Sequence, residues 1–272
     1  MATRLPEEVG NVYKTFVDNG HEIYLVGGGV RNIFLEKEAN DWDMTTSATP
    51  EEMLQLFPDG FYDNKFGTVG IPIVINNEQW VVEVTTFRTE RNYTDNRHPE
   101  NVTWGKTVEE DLERRDFTMN AIAIKLKNIS PNMEIMANAE IIDPYNGQKD
   151  IANKIICAVG NPNKRFKEDA LRLLRAVRFA AELSFTIEEK TWNAMLEDSM
   201  LLEAISAERI RVELLKMLAS DFPYEGIMLL KNAKLLEHIL PELLEGIGVS
   251  QERPGRHHTT DVFTHNVDSL KF

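Results

Sequence analysis

The sequence predicts an α+β fold, with a mixed sheet and helices in the first half and helices alone in the second. Three observations lead there. Short β-branched runs alternate with helical patterns as far as about residue 126. A turn-rich stretch, Asp143-Pro144-Tyr145-Asn146-Gly147, then interrupts the chain, and beyond it every periodic segment has the helical repeat. Charge changes at the same place: residues 1–150 carry 14 Lys+Arg against 26 Asp+Glu, whereas residues 151–272 carry 16 against 18. A domain covering residues 1–150 is therefore expected, followed by a helical part.

The elements follow in order. Residues 7–19 show an amphipathic helical pattern that stops at Asn19-Gly20. Residues 22–26 read as a buried strand, Gly27-Gly28-Gly29 as a turn, and residues from about 30 to 36 as a short helix. Residues 41–44 read as a second strand. Thr49-Pro50-Glu51-Glu52 is a capping box with proline at the first helical position, so a helix starts there. The runs 68–75 and 79–87, separated by Asn76-Asn77-Glu78, predict a hairpin. Residues 88–105 are polar and aperiodic, which predicts a mobile loop. A charged helix over 109–115 and a strand over 121–126 complete the first half. In the second half, residues 168–183 read as one helix, Thr186-Ile187-Glu188-Glu189 as a second capping box, and residues 206–219 and 225–239 as amphipathic helices. The closing segment HHTTDVFTHNVDSLKF reads as the opening of a helix without a cap, as in a fragment of a longer chain.

Composition excludes several classes. The chain has 272 residues, 42% hydrophobic and 27% charged, enough apolar material for a substantial core. No 18-residue apolar run is present, and the first residues lack the apolar stretch of a secretory leader. A single cysteine, Cys157, excludes an internal disulfide framework and a Cys-rich zinc site, so a cytoplasmic location is expected. The net charge of −14 by itself argues against nucleic-acid binding, but within 151–180 seven basic residues face only two acids.

Asp41 and Asp43 flank Trp42 in a predicted strand, so their carboxylates share a face with Cα atoms about 7 Å apart. That spacing suits two hard cations in phosphoryl transfer, although a solvated strand end has the same pattern. Upstream, the glycine turn and Arg31 suit a triphosphate, the alternative being a tight turn without a ligand. Glu83 interrupts an apolar strand and either joins the metal site or faces solvent. Arg114 and Arg115 suit bidentate phosphate contacts, with Asp116 placed to orient them; alone, the run is also a surface helix end. Asp169 and Arg172, three apart on the predicted basic helix, form either a recognition pair or an intrahelical ion pair.

The ordered set LVGGGVR (25–31), DWD (41–43), RRDFTMNA (114–121), DPYNG (143–147), EDALRLLRAVRF (168–179) and ISAERIRVEL (205–214) resembles the class II CCA-adding enzymes. These are tRNA nucleotidyltransferases related to the bacterial poly(A) polymerases within the polymerase-beta-like superfamily. The resemblance spans about 20–265. It implies a polymerase-beta-like head over 1–150, a helical neck over 151–220 that recognises the base and contacts RNA, and the start of a helical body over 221–272, with a partial HD-type segment. It further implies that Asp41 and Asp43 hold Mg²⁺ as catalytic metal ligands, with Glu83 beside them. Gly28, Gly29 and Arg31 would contact the triphosphate, and Arg114, Arg115, Asp116 and Asn120 the ribose and triphosphate. Asp169 and Arg172 would read the base, and Arg175 and Arg178 would continue the nucleotide-binding helix. Ser206, Glu208 and Arg209 would support that helix. The family usually has Asp after Arg31, where this chain has Asn32.

The implied substrates are CTP, ATP and the tRNA 3′ end, with no membrane and no evident protein partner. The implied reaction adds C, C and A without a nucleic-acid template. The stretch 88–105, with Arg88, Tyr93, Asp95, Arg97, His98 and Pro99, corresponds to a flexible family loop needed for A addition, or else is an ordinary surface loop. His257, His258, Asp261 and His265 resemble the opening of an HD segment that lacks its later His-Asp pair. A-only addition, poly(A) tailing, an inactive RNA-binding relative and a small-molecule nucleotidyltransferase are the competing expectations.

Overall fold

The structure, a computed structural model, describes residues 3–39, 41–62, 67–93, 99–250 and 260–271, and only the backbone over 89–93 and 99–103. The chain divides into two compact units: residues 1–92 with 99–153, and residues 93–98 with 154–272.

The first unit is built on one mixed sheet. Its strands are β1 (Ile23–Val26), β2 (Asp43–Thr46), β3 (Phe61–Tyr62), β4 (Thr68–Ile75) and β5 (Glu78–Thr86). After a separate two-stranded sheet of β6 (Arg88–Tyr93) and β7 (Pro99–Trp104), β8 (Ala123–Leu126) and β9 (Ala139–Ile142) return to it. The order across the seven strands is β3-β4-β5-β2-β1-β8-β9. Only β2 and β5 run parallel; the other neighbours are antiparallel. The apolar run of β1 is buried throughout, as a central strand covered on both faces must be. The β4–β5 hairpin turns on Asn76 and Asn77, both with positive φ, the conformation that matches the strand twist and that asparagine tolerates.

Helices α1 (Glu7–Asp18), α2 (Gly27–Phe34), α3 (Pro50–Leu56), α4 (Val108–Glu113) and α5 (Gly147–Ala152) belong to this unit. The predicted capping box at Thr49 and Glu52 is present in full. Tyr13 of α1 ties the layers together: its hydroxyl donates to the Ile23 carbonyl (2.6 Å) and accepts from the Leu126 amide (3.0 Å). Burial pushes this phenol well above its usual pKa, and Phe16, Met44, Met53, Phe87 and Phe117 are also buried in the core of this unit.

In the second unit, α6 (Pro162–Glu168), α7 (Leu171–Leu183), α8 (Glu189–Glu197), α9 (Ala207–Leu218), α10 (Pro223–Asn232), α11 (Leu236–Ile239), α12 (Pro241–Leu244) and α13 (Val262–Asp268) accompany a two-residue parallel pair, β10 (Ile155–Ile156) and β11 (Thr186–Ile187). Helix α7 is the centre, with ten of its thirteen residues buried.

Several expectations are corrected. The aperiodic stretch 88–105 contains β6 and β7, because a polar sequence without apolar alternation gives no strand signal. Asp95, Arg97 and His98 lie outside the described residues, as do His257 and His258. The second half is not all helix: Thr186 and Ile187 form β11, and Glu188 caps α8 by accepting from the Thr191 amide (2.7 Å), in place of a Thr186 capping box. The helix expected over 168–183 starts at Leu171, with Glu168 closing the preceding α6, and that expected over 225–239 is α10 and α11. Helix α2 starts at Gly27, three residues before its expected start.

Tyr13→Phe removes both hydrogen bonds and leaves the buried Leu126 amide unpaired, so urea unfolding is expected to show a loss of about 1–3 kcal/mol. An unchanged unfolding midpoint would refute the role assigned to the hydroxyl.

Candidate active site

The site is set by one row of the sheet. Val26 on β1 lies opposite Asp43 on β2, and Asp43 lies beside Glu83 on β5. Paired residues direct their side chains to the same face, so Asp43 and Glu83 emerge together, and Asp41 stands two residues before Asp43. On β5 this face is open: Val82 and Val84 are buried on the other side while Glu83 is exposed.

The glycines are demanded by the aspartates. Gly27 has a φ of +75°, and a Cβ on it would come within 2.6 Å of the Asp43 carboxylate. A Cβ on Gly29 would collide with the Asp41 carbonyl oxygen. Gly28 meets only the Arg31 guanidinium, 3.6 Å away, so the protein's own packing does not require glycine there. The helix start thus lies directly over the DWD segment, with backbone amides at the end of α2 that favours anions.

Burial, reinforced by the charge on Asp41 and to a lesser degree Glu83, raises the Asp43 carboxyl to about 7, although Arg115 pulls it down. To stay ionised near neutral pH, such a carboxyl needs a nearby positive charge. Among the described residues no three His, Cys, Asp or Glu side chains cluster as an ion site. The donor set is therefore two aspartates, which fits a hard divalent cation that takes its remaining ligands from phosphate and water. Glu83 is beside this pair but does not complete a cage.

A second layer holds the arginines. Asp111 is fully buried and accepts from both: Oδ1 from Arg114 Nε (3.0 Å) and Nη2 (2.7 Å), Oδ2 from Arg115 Nε (3.3 Å) and Nη2 (3.0 Å). Burial alone would raise the Asp111 carboxyl, but the two guanidiniums prevail and hold it at about 2. Sequence reasoning gave the orienting role to Asp116 and missed Asp111. The i, i+3 and i, i+4 spacing to the arginines was the available signal, lost among the neighbouring acids. Asp116 instead accepts from the Phe117 amide (2.8 Å) and Asn120 Nδ2 (3.1 Å). Asn120 Oδ1 in turn accepts from Arg31 Nη1 (2.9 Å), so Asp116, Asn120 and Arg31 form one chain of contacts. Asp143, also passed over, caps α5 by accepting from the Gly147 and Gln148 amides.

In the second unit, Asp169 is not on a helix. It takes an extended conformation (φ −148°, ψ 104°) between α6 and α7. Its Oδ1 accepts from the Leu171 amide (3.1 Å) and its Oδ2 from Arg209 Nη2 (2.8 Å). A side chain that captures the backbone in this way competes with helical hydrogen bonding, which accounts for the break. Arg172 pairs with Glu168 (2.9 Å) and the Arg165 carbonyl (3.0 Å), so of the two readings of Asp169 and Arg172 the intrahelical ion pair is not formed, and each pairs with another residue. Arg178, expected to continue the nucleotide-binding helix, has its contacts within the second unit. It is buried against Glu213 of α9 (2.5 Å) and Glu182 (2.7 Å), with its guanidinium over the Phe179 ring, and so clamps α9 to α7. Arg175 lies near Glu213 (4.0 Å) and over the same ring. Of the supporting residues, Arg209 holds Asp169, and Ser206 stands at the N-terminus of α9 without a side-chain cap bond. Asp261 caps α13 through Thr264 and accepts from the Gly248 amide, which commits both oxygens to backbone.

The chain matches the Poly A polymerase head domain over residues 23–157 and the probable RNA and SrmB-binding site of polymerase A over residues 184–246. It is 43% identical over 229 residues to a CCA-adding enzyme of Geobacillus sp. (strain WCH70), covering 84% of this chain and 53% of that one. It is 45% identical over 215 residues to a CCA-adding enzyme of Enterococcus faecalis, covering 78% and 49%. The solved Bacillus stearothermophilus CCA-adding enzyme in complex with CTP superposes with a TM-score of 0.72 at 38% identity, over 84% of this chain and 52% of that one. A tRNA nucleotidyltransferase complexed with a primer tRNA and an incoming ATP analog gives 0.67 at 27% identity, over 87% and 66%. The chain spans about half the length of the curated relatives it matches.

Asp111→Asn leaves two partly buried cations without their anion and is expected to cost about 3 kcal/mol near neutral pH. Because the folded-state pKa lies below the ordinary value near 3.9, this contribution is complete above about pH 4 and fades as pH falls through about 2. The gap between the two proteins in denaturant unfolding should therefore narrow over that window; a constant gap would contradict the assignment.

Proposed function

The chain belongs to the poly(A) polymerase head-domain family, and on that premise we propose that it acts as a CCA-adding tRNA nucleotidyltransferase. It would transfer C, C and A in turn from CTP and ATP to the 3′ end of tRNA, releasing pyrophosphate. The observation that carries the reading is the row of Asp43 and Glu83, with Asp41 alongside, seated beneath the glycine start of α2. That relatives have been solved with CTP and with a primer tRNA and an ATP analog supports the choice of substrates.

Asp41 and Asp43 would hold Mg²⁺, which when bound favours ionisation of the attacking 3′-hydroxyl and neutralises the pyrophosphate. The remaining steps belong to the chain. Amides at Gly28 and Gly29 and the Arg31 guanidinium would grip the triphosphate, with Asn120 keeping Arg31 in place. Arg114 and Arg115 would contact the triphosphate and ribose in an orientation fixed by Asp111, and Asp116 would act through Asn120.

Base choice is assigned to Asp169 and Arg172, with Arg175 next along the helix. A carboxylate accepts from the exocyclic amine of cytosine or adenine, and a guanidinium donates to the adjoining ring nitrogen. Uracil and guanine present a carbonyl and an N–H instead, and each resulting mismatch costs about 1–3 kcal/mol. Such selection needs rigid groups, and Arg209 and Glu168 provide the restraint. Arg178 is left to the clamp with Glu213. A cytoplasmic location is part of this reading, in keeping with the lone cysteine.

The test uses tRNA ending at its discriminator base, each nucleoside triphosphate in turn and then CTP with ATP. Stepwise C, C, A addition that stops is expected; unlimited A addition, or none, would overturn the reading. Asp41→Ala and Asp43→Ala should each abolish addition while the chain remains folded. Asp169→Ala should weaken discrimination against UTP and GTP more than it weakens binding of the triphosphate, and unchanged selection would remove Asp169 from base reading.

A further inference from the structure

The row that carries the carboxylates continues to the edge of the sheet. Asp43 pairs with Glu83, Glu83 with Gly70 on β4, and Gly70 with Phe61 on β3. All four residues face the same side. Gly70 has no side chain, and the Phe61 ring occupies the place a side chain would take: a Cβ on Gly70 would lie 2.5 to 2.9 Å from three of its ring carbons. The ring is therefore held flat to the sheet by packing rather than by core burial, and Phe61 remains 47% exposed. Along the same face, the next register pair is Pro72 with Val81, and Val74 follows on β4. All three are exposed, Val81 at 48% and Val74 at 56%. The opposite face of the same strands carries the buried Val69, Ile71, Val82 and Val84. An open apolar strip thus begins one strand spacing, about 5 Å, from Glu83.

We propose that this strip is the seat of the unpaired 3′-terminal nucleotides of the RNA primer, with the Phe61 ring as the stacking platform for a base. The proposal deepens the function given above and rests on it for the identity of the occupant. Its chemistry follows from the placement. The attacking hydroxyl must lie at Asp41 and Asp43, so the nucleotide that carries it extends over neighbouring surface. On this side that surface is apolar and aromatic, with no Lys or Arg among the row or strip residues. A single-stranded end is recognised by stacking on aromatic faces, and stacking tolerates any base, as a primer whose last nucleotide changes from the discriminator to C and again to C requires. The exposed Val81 and Pro72 extend the dry contact, and the ring's fixed position over Gly70 limits the entropy lost on binding.

The experiment separates this role from the chemistry. An RNA hairpin with an unpaired 3′ overhang ending in 2-aminopurine is titrated with the wild-type protein, Phe61→Leu and Phe61→Trp, with thermal unfolding recorded for each. Steady-state addition to the unlabelled hairpin gives separate Michaelis constants for RNA and for CTP. Wild type and Phe61→Trp are expected to quench the fluorophore by stacking. Phe61→Leu should lose the quench and raise the Michaelis constant for RNA on the order of tenfold, leaving that for CTP unchanged. Gly70→Ala, which displaces the ring, should follow Phe61→Leu in both readouts and serves in its place if the leucine variant does not fold. Equal quenching and equal RNA constants in wild type and the substituted proteins would overturn the proposal, as would a parallel rise in the constants for RNA and CTP. A wild-type protein that quenches the probe but adds no nucleotide would leave the platform standing and remove the assigned reaction.

Discussion

The register of β2 between β1 and β5 is the constraint on which the first unit's site depends. It sets Asp43 beside Glu83 on an open face and brings the end of β1 against the DWD segment. The chain leaving β1 must then turn into α2 across carboxylate and carbonyl oxygens, and only glycine fits at positions 27 and 29. The glycine run and the acidic pair are therefore one structure in two pieces of sequence: the Asp43 carboxylate and the Asp41 carbonyl exclude side chains above them, and the helix start is left as bare backbone. One parallel pair in an otherwise antiparallel sheet produces this, because it delivers β2 and β5 side by side with their polar residues aligned.

In both units the protein places charge by restraint rather than abundance. Arg114 and Arg115 are oriented by a fully buried Asp111, Arg31 by Asn120, Arg172 by Glu168, and Asp169 by Arg209. Each of these side chains is held by a partner, which narrows its range of orientation and, on the proposed function, lowers the reorganisation needed when substrate arrives. On the proposed function, the same logic reconciles a net charge of −14 with an RNA substrate. Affinity that rests on shape, stacking and a few fixed arginines does not need a basic surface, and weak general attraction favours release of the product.

Much of this was legible in the sequence, and the parts that were not share a cause. Strand β1, the capping box at Thr49 and the β4–β5 hairpin announce themselves within a few residues, by local spacing and turn chemistry, whereas β2 begins only at Asp43 and the expected glycine turn is the first turn of α2. The Arg178–Glu213 clamp spans 35 positions and the Asp169–Arg209 pair spans 40, so no local pattern reports them. Asp169 breaks its helix because Arg209 and the Leu171 amide compete for it, a tertiary effect that apolar periodicity carries straight through. Strands β6 and β7 lacked the apolar alternation that betrays a half-buried strand. Asp111 was hidden among four neighbouring acids, since its spacing to the arginines is a weak signal until burial singles it out.

The central claim is that Asp41 and Asp43, under the glycine start of α2, form a site that divalent cation and nucleotide fill together. Mn²⁺ binding measured by electron paramagnetic resonance at pH 8, above the raised pKa of Asp43, tests it most directly. The account predicts weak binding by the protein alone, because two carboxylates leave a hard cation under-coordinated. Binding should become at least tenfold tighter when CTP is added, beyond what CTP binds by itself, and Asp43→Asn should abolish the gain. Mn²⁺ affinity that is indifferent to CTP, or a gain that survives Asp43→Asn, would contradict it.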